Sequence, residues 1–382
     1  MTYINDFSVS CAMGRGRAAV GDALTAPIAL SEMARLIDGR ETKVGRLPGQ
    51  WAPADRGGSR TNELVALLAD DMRASIGGAI DRHGPSRVAF VLGTSTTGID
   101  EAAAHLRTRM ATGAWPDSFR FARQELGDPS EFGARHTGAG GPVYTVSTAC
   151  TSGAKAIAAG ARLIEAGLAD AAVVGGADTL CGLTLNGFAA LESIATGVCN
   201  PLSVNRCGIN VGEGGALFLL SREPGPWRLE GWGESSDAHH ASAPDPTGAG
   251  AEIAVRQALR HSGVSEGDVG FIHLHGTATR LNDQMEAVLV HRVFGADMPC
   301  ASSKPMTGHT LGASGAVQAA LSLLAMERGV YPPHLWDGER DAELPMVRLA
   351  AAGESPDSKV ERMLSLSFAF GGNNVALMLG RG

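Results

Sequence analysis

Val143-Tyr-Thr-Val-Ser-Thr-Ala-Cys150-Thr-Ser-Gly-Ala-Lys-Ala-Ile157 decides how this chain is read. Residues of strand character run into small side chains and a cysteine. A helical pattern starts at once, with Ile157, Ala161, Ile164 and Leu168 recurring at helical spacing. Cys150 therefore falls at a strand-to-helix turn, at the amino end of a helix. Unpaired N–H groups and the helix dipole there favour a thiolate over a thiol. Gly153 leaves room for another segment to approach closely. This is where a chain places a nucleophile.

Working outward, 382 residues suffice for one large domain or two fused halves. The chain is 44% hydrophobic, which allows a large core, and its 51 glycines suit an α/β protein with many tight turns. A net charge of -8 gives no basic face for nucleic acid. No apolar run reaches the length of a membrane span. The start, Met1-Thr-Tyr-Ile-Asn-Asp6, lacks the basic and apolar regions of an export signal. Cys11, Cys150, Cys181, Cys199, Cys207 and Cys300 form no C-x-x-C pair, so neither a zinc ribbon nor a disulfide framework is expected. The expected location is a reducing cytoplasm.

Strands are expected at residues 2–12, Arg87–Gly93, Asp170–Gly176 and Ala216–Leu220. Helices are expected over Ala18–Leu24, from Thr61 through Ile80, and over Asp100–Thr112. Residues 37–60 read as loop and 113–142 as an irregular excursion. Past a break at Glu223-Pro-Gly-Pro226, strands are expected at Trp227–Gly233, Val269–Leu274, Met363–Phe368 and Val375–Leu379. Helices are expected near 250–262 and over Asp283–Val293. One repeat emerges: Ser152-Gly-Ala154 opens a helix ending at Gly167, and Ser314-Gly-Ala316 opens one ending at Gly329. The offset is 162 at both ends (314 − 152, 329 − 167), and Glu165 and Glu327 match at the same offset. The expected organisation is two similar strand-helix halves, residues 1–225 carrying Cys150 and residues 226–382.

Three further strings lie at expected strand ends, where α/β sheets hold ligands. They are His275-Gly-Thr-Ala-Thr279, Lys304-Pro-Met-Thr-Gly-His309 and Phe368-Ala-Phe370-Gly-Gly-Asn-Asn374. A zinc site of His273, His275 and His309 is disfavoured, because no acidic or Cys partner accompanies them; His273 reads as structural. His239-His240 reads as a solvated turn or a pocket wall, and Asn205-Arg206 as part of a structural ion pair.

Together with Thr148-Ala-Cys150, these strings resemble the elongating β-ketoacyl-acyl-carrier-protein synthases, the decarboxylating condensing enzymes of the thiolase superfamily. The resemblance runs from about residue 85 to the C-terminus. It implies a thiolase-like, five-layered α-β-α-β-α fold from two duplicated halves. It implies that Cys150 takes an acyl chain from a carrier thioester, with the backbone N–H groups of Cys150 and Phe370 as oxyanion hole. Decarboxylation of a malonyl thioester then leaves an enolate, stabilised by neutral His275 and His309. Lys304 becomes a charge behind the site, paired with Glu286. Thr277 and Thr279, alternating along an extended segment, become pantetheine contacts, and Phe370 with Gly371 and Gly372 a gate to the acyl pocket. No metal and no redox cofactor is implied. The substrates ride on the phosphopantetheine of an acyl carrier protein, which Arg120, Arg123 and Arg206 could meet. A homodimer, or a heterodimer with a related subunit, is implied.

The chain departs from the family in its first strand, in the 113–142 segment and at Arg280-Leu-Asn-Asp283. These departures point to a specialised polyketide or aryl-polyene type. A thiolase needs a second Cys near the C-terminus, and the last here is Cys300. A starter-unit synthase carries Asn where His309 stands. An inactive chain-length subunit lacks the Cys, although the chain could be the active half of such a pair.

Overall fold

The computed structural model describes residues 1–49 and 58–382. In the strand Val88–Gly93, Val88, Phe90 and Leu92 enter one core while Ala89 and Val91 enter another. A strand buried on both faces reads as a continuous apolar run, and this one does. Thr2–Cys11 pairs antiparallel with Gly214–Ser221, and that with Ala171–Asp178. Val88–Gly93 and Val143–Val146 then follow in parallel. The second half repeats the order with Trp227–Ser236, Asn373–Arg381, Arg362–Phe368, Phe271–His273 and Pro299–Ala301. Thr2–Ile4 pairs with Trp227–Leu229, joining both runs edge to edge.

The repeat helices, Ser152–Glu165 and Ser314–Arg328, pack between the two runs. Arg60–Asp71 and Asp128–Thr137 cover the first run from outside. Ala249–Ser262 and Arg280–Phe294 cover the second. The result is five alternating layers of helix and sheet. Burying Val317, Leu321 and Leu324 of the central helix stabilises this arrangement by roughly 1.5–3 kcal/mol each. The two helices meet through small residues. A Cβ on Gly153 would stand 3.0 Å from Ala316 Cβ, and one on Gly315 would stand 2.7 Å from Ala154 Cβ. Positions 153 and 154 become 315 and 316 at the repeat offset, so each helix presents its glycine to the other's alanine.

Several local expectations are corrected. The helix from Thr61 is two helices, Arg60–Asp71 and Arg73–His83, broken at Met72. The excursion over 113–142 contains the helix Asp128–Thr137, started by Pro129 in its first turn. The loop at 37–60 holds a strand, Glu41–Lys43, paired with Met33–Arg35; residues 50–57 of that loop lie outside the described residues. Leu168 is 58% exposed, because the helix stops at Glu165 and Gly167 turns the chain at φ +70°. The Asp283 helix begins three residues earlier, at Arg280. No described helix is long and apolar enough to cross a membrane.

Candidate active site

Cys150 follows Ala149, whose φ of +53° is uncommon for a residue with a side chain. The turn holds this geometry with its own hydroxyls. Ser152 Oγ accepts from Thr148 N–H at 2.9 Å and donates to the Ala149 carbonyl at 2.6 Å. Thr151 Oγ1 donates to the Thr148 carbonyl at 2.7 Å. Gly93 lets the turn sit against the sheet, since a Cβ there would stand 2.3 Å from Gly153 N.

His309 comes from the other half. Its Nε2 stands 3.0 Å from Cys150 Sγ. Its backbone is pinned on both sides: His309 N–H donates to the Asn210 carbonyl at 2.6 Å, and Gly212 N–H donates to the His309 carbonyl at 2.9 Å. His275 follows the strand Phe271–His273, with its ring edge-on to His309 at 5.2 Å between centroids. Cys150 Sγ and one nitrogen of each ring lie within 4.8 Å of one another, and all three residues are buried. Residues 159 and 125 positions away from Cys150 thus meet at one point (309 − 150, 275 − 150).

Lys304 and Glu286 sit behind this group, but not as a pair. Among the described residues no ion pair joins them. Glu286 accepts from His275 N–H and Gly276 N–H, each at 2.6 Å, and Lys304 Nζ donates to the His275 carbonyl. Both therefore hold the His275 backbone, and they feel each other only through the field. Burial pushes the Glu286 carboxyl up and the Lys304 ammonium down.

Burial first, and then the Lys304 charge, hold His275 and His309 well below the ordinary imidazole range. Both are neutral near pH 7. The expectation of a thiolate at Cys150 is corrected: burial pushes the thiol up to about 12. The Lys304 charge and the N–H groups of Cys150 and Phe370 pull it down, but desolvation of a buried anion outweighs them. The site rests as a thiol beside two neutral rings.

A cavity of about 450 Å³ opens from this group. Thr277, Thr279 and Phe370 line it, whereas Gly371 and Gly372 lie behind Phe370 in its turn. The Thr277–Thr279 segment is not extended. Ala278 has φ +62°, which folds the two hydroxyls onto each other at 2.9 Å. Phe370 rests against Phe188, at 5.9 Å between centroids.

Arg280 and Asn282, from the segment where the chain departs from the family pattern, stand on the cavity wall; sequence reasoning missed Phe188 there, which carries no motif. It also missed Asn210, whose carbonyl holds His309. Arg206 does form an ion pair, with Asp341 at 2.5 Å, and also lines the cavity. His273 turns away onto Ser322 at 3.0 Å and Ser303 at 2.7 Å, so the three-histidine zinc arrangement does not form. His239 and His240 are exposed and do not line the cavity.

Two family models match the chain: the β-ketoacyl synthase N-terminal domain over residues 80–224, and the corresponding C-terminal domain over 228–336. The 3-oxoacyl-[acyl-carrier-protein] synthase 2 of Mycobacterium bovis is 35% identical over 264 residues. That match takes in 65% of this chain and 62% of the relative, so it spans less than two thirds of the relative's length. The tetracenomycin polyketide synthase ketoacyl synthase alpha subunit of Streptomyces glaucescens is 30% identical, over 99% of this chain and 96% of its own. Among solved structures, the ketosynthase ApeO in complex with its chain length factor ApeC, from Xenorhabdus doucetiae, matches with a TM-score of 0.90. It is 41% identical, covering 100% of this chain and 98% of that one. The chain belongs to the β-ketoacyl synthase family.

Proposed function

We propose that this protein is a 3-oxoacyl-[acyl-carrier-protein] synthase that elongates an acyl chain held on Cys150. The observation that carries this reading is the buried junction of one thiol and two neutral imidazoles at the end of a cavity. In loading, Cys150 sulfur attacks the carrier thioester carbonyl. Its proton leaves through His309 Nε2, and the carrier's C–S bond breaks to free the pantetheine thiol. The backbone N–H groups of Cys150 and Phe370 receive the oxyanion. In condensation, the malonyl C–CO2 bond breaks and CO2 departs. His275 and His309 donate hydrogen bonds to the enolate oxygen. The enolate carbon then bonds to the acyl carbon, the Cys150 C–S bond breaks, and the sulfur takes up one proton from solvent, which balances the carboxylate charge lost with CO2. Among the described residues His309 Nδ1 is buried with no partner; loading uses the tautomer with its proton on Nδ1 and a free Nε2, and condensation uses the tautomer that turns an Nε2–H toward the enolate.

The bonds balance without metal or redox chemistry, so no cofactor is invoked beyond the phosphopantetheine that carries the substrates. The thiolase alternative lacks its second cysteine near the C-terminus: Cys300 is buried, donates to the Arg348 carbonyl at 3.3 Å and does not line the cavity, and Cys207, which does line it, comes from the same half as Cys150. An acyl carrier protein is the proposed donor. The cleft lined by Arg120, Arg123 and Arg135 offers it a cationic surface. A second subunit, either a copy or a chain-length partner, is proposed on the open sheet edge. There Val143–Val146 ends the sheet and Tyr144 is 39% exposed. The proposed location is the cytoplasm. The test is mass spectrometry after incubation with an acyl-carrier thioester: an acyl adduct is expected on Cys150, followed by 3-oxoacyl product and CO2 once malonyl carrier is added. An active preparation that never carries acyl on Cys150 refutes the reading.

A further inference from the structure

The turn that carries Phe370 does not fix itself. Ala369 N–H donates to the Asn373 carbonyl at 2.8 Å and Gly372 N–H to the Ala369 carbonyl at 3.0 Å, which closes a tight loop. Between them stand Gly371 at φ +85° and Gly372 at φ +77°, two residues with no side chain to restrain them. The position of the Phe370 N–H is therefore set from outside the turn. One restraint comes from the 237–241 loop, where Gly371 N–H donates to the Ala241 carbonyl at 2.8 Å and Asp237 N–H to the Gly372 carbonyl at 2.9 Å.

A further restraint comes from the helix that carries Cys150. Lys155, five residues after Cys150, donates from Nζ to Asn373 Oδ1 at 2.8 Å. Its side chain is only 14% exposed. Glu234 on the neighbouring strand lies 3.8 Å from the same Nζ. Glu234 is in turn held by Arg162, whose guanidinium lies over the Trp232 ring at 5.6 Å from its centroid. A half-buried cation with a fixed anion behind it and one amide oxygen in front is a rigid strut. It spans from the Cys150 helix to the end of the Phe370 turn. The sulfur and the Phe370 N–H are the two ends of the geometry that loading needs.

We propose that Lys155 is a positioning residue that sets the Phe370 N–H against Cys150 by holding Asn373. This rests on the condensing reading above. Lys155 touches no reacting atom and acts through the turn. The site it shapes is the half of the oxyanion hole that comes from the other half of the molecule.

The experiment compares two reactions of the same sulfur. Acyl transfer from a carrier or coenzyme A thioester passes through an oxyanion, whereas alkylation by iodoacetamide does not. Both are followed by rapid quench and intact mass, in wild type, Lys155→Met, Lys155→Arg and Asn373→Ala. Removing one oxyanion donor outright costs about a hundredfold or more; misplacing one should slow loading about tenfold. In Lys155→Met, loading at saturating thioester falls about tenfold while alkylation stays within about twofold of wild type. Lys155→Arg restores most of the loss, because it keeps a donor on Asn373. Asn373→Ala reproduces the loss from the other end, and the double variant is no worse than either single one. Should Lys155→Met fail to fold, Asn373→Ala decides alone. Wild-type loading in both variants overturns the proposal, as does a parallel fall of loading and alkylation. A wild-type protein that never loads acyl refutes the synthase reading instead.

Discussion

Replacing His275 by alanine should separate the two half-reactions. The structure places the two imidazoles unequally around Cys150. His309 Nε2 touches the sulfur at 3.0 Å, whereas the His275 ring makes no hydrogen bond among the described residues and its Nδ1 is buried without a partner. His309 is therefore placed to take the thiol proton, and His275 has no part in that transfer. In condensation both rings are asked to donate to one enolate oxygen. Removing one of two preorganised donors in a dry site costs about a hundred- to a thousandfold, or about 3–4 kcal/mol of transition-state stabilisation. His275→Ala should thus load acyl within about threefold of wild type and release CO2 from malonyl carrier a hundredfold more slowly or worse. Rapid-quench transfer of a labelled acyl group reads the first step, and labelled CO2 capture reads the second. His309→Ala should fall in both. Equal loss of loading and decarboxylation in His275→Ala, in a variant that melts within a few degrees of wild type, refutes this division of labour.

Three further outcomes are expected. With its thiol pushed up to about 12, Cys150 should show alkylation rates that still climb tenfold per pH unit between pH 8 and pH 10; a plateau near pH 7 would mean a resting thiolate. His273 is pushed down to about 3 by burial, so its folded pKa lies below the unfolded value. The stability it contributes is complete above about pH 6.5 and is lost as pH falls toward about 3, at about 1.4 kcal/mol per pH unit. Urea midpoints from pH 7 to pH 5 should therefore fall more steeply in wild type than in His273→Asn, and equal slopes would contradict the assignment. Gly315→Ala should cost about 1–3 kcal/mol, because the added methyl meets Ala154 Cβ at 2.7 Å. Adding Ala154→Gly should recover only part of that loss, because the same methyl also meets Ser367 Oγ at 2.9 Å and a helical glycine itself costs about 1 kcal/mol; a double variant whose loss in thermal melts equals the sum of the two single losses would mean the two positions do not meet.

Legibility followed the physics of each segment. Buried strands such as Val88–Gly93 and the helix after Cys150 declared themselves, because burial on two faces or one stripe leaves a periodic residue pattern. The repeat was visible because the same packing problem, two helices crossing at Gly and Ala, imposed the same residues twice. The helix Asp128–Thr137 was not visible: its buried residues include Pro129, Ser130, Gly133 and Ala134, which carry little hydrophobic signal. Cys150, His275 and His309 could be named because each stands in a short string that resembles a condensing-enzyme motif, and the fold brings the three side chains together. The upward push on the Cys150 thiol was not legible, because local position at a helix end does not report the burial that tertiary packing imposes. Phe188 and Asn282 line the cavity through tertiary packing alone, and the Thr277–Thr279 geometry depends on one left-handed alanine between them.

The duplication also bears on why only one of the two repeated turns carries a cysteine. At the offset of 162, Cys150 corresponds to Gly312 (150 + 162). A Cβ at Gly312 would stand 2.7 Å from Asp178 Oδ2 and 2.8 Å from Ser95 Oγ. Asp178 cannot move aside. Its Oδ1 accepts from Thr94 Oγ1, Ser95 N–H, Thr96 N–H and Thr96 Oγ1 at 2.7–2.8 Å, and its Oδ2 accepts from Ala313 N–H at 3.0 Å. A carboxylate with five donors is costly to displace, because each donor would be left buried and unpaired. The space that a second nucleophile would need is thus filled by a staple from the first half. That staple grips the turn four residues after His309 and helps hold that histidine's loop against the Cys150 helix. Symmetry brings the two helices together, and its local failure at Gly312 leaves one half to supply the sulfur and the other to supply both imidazoles.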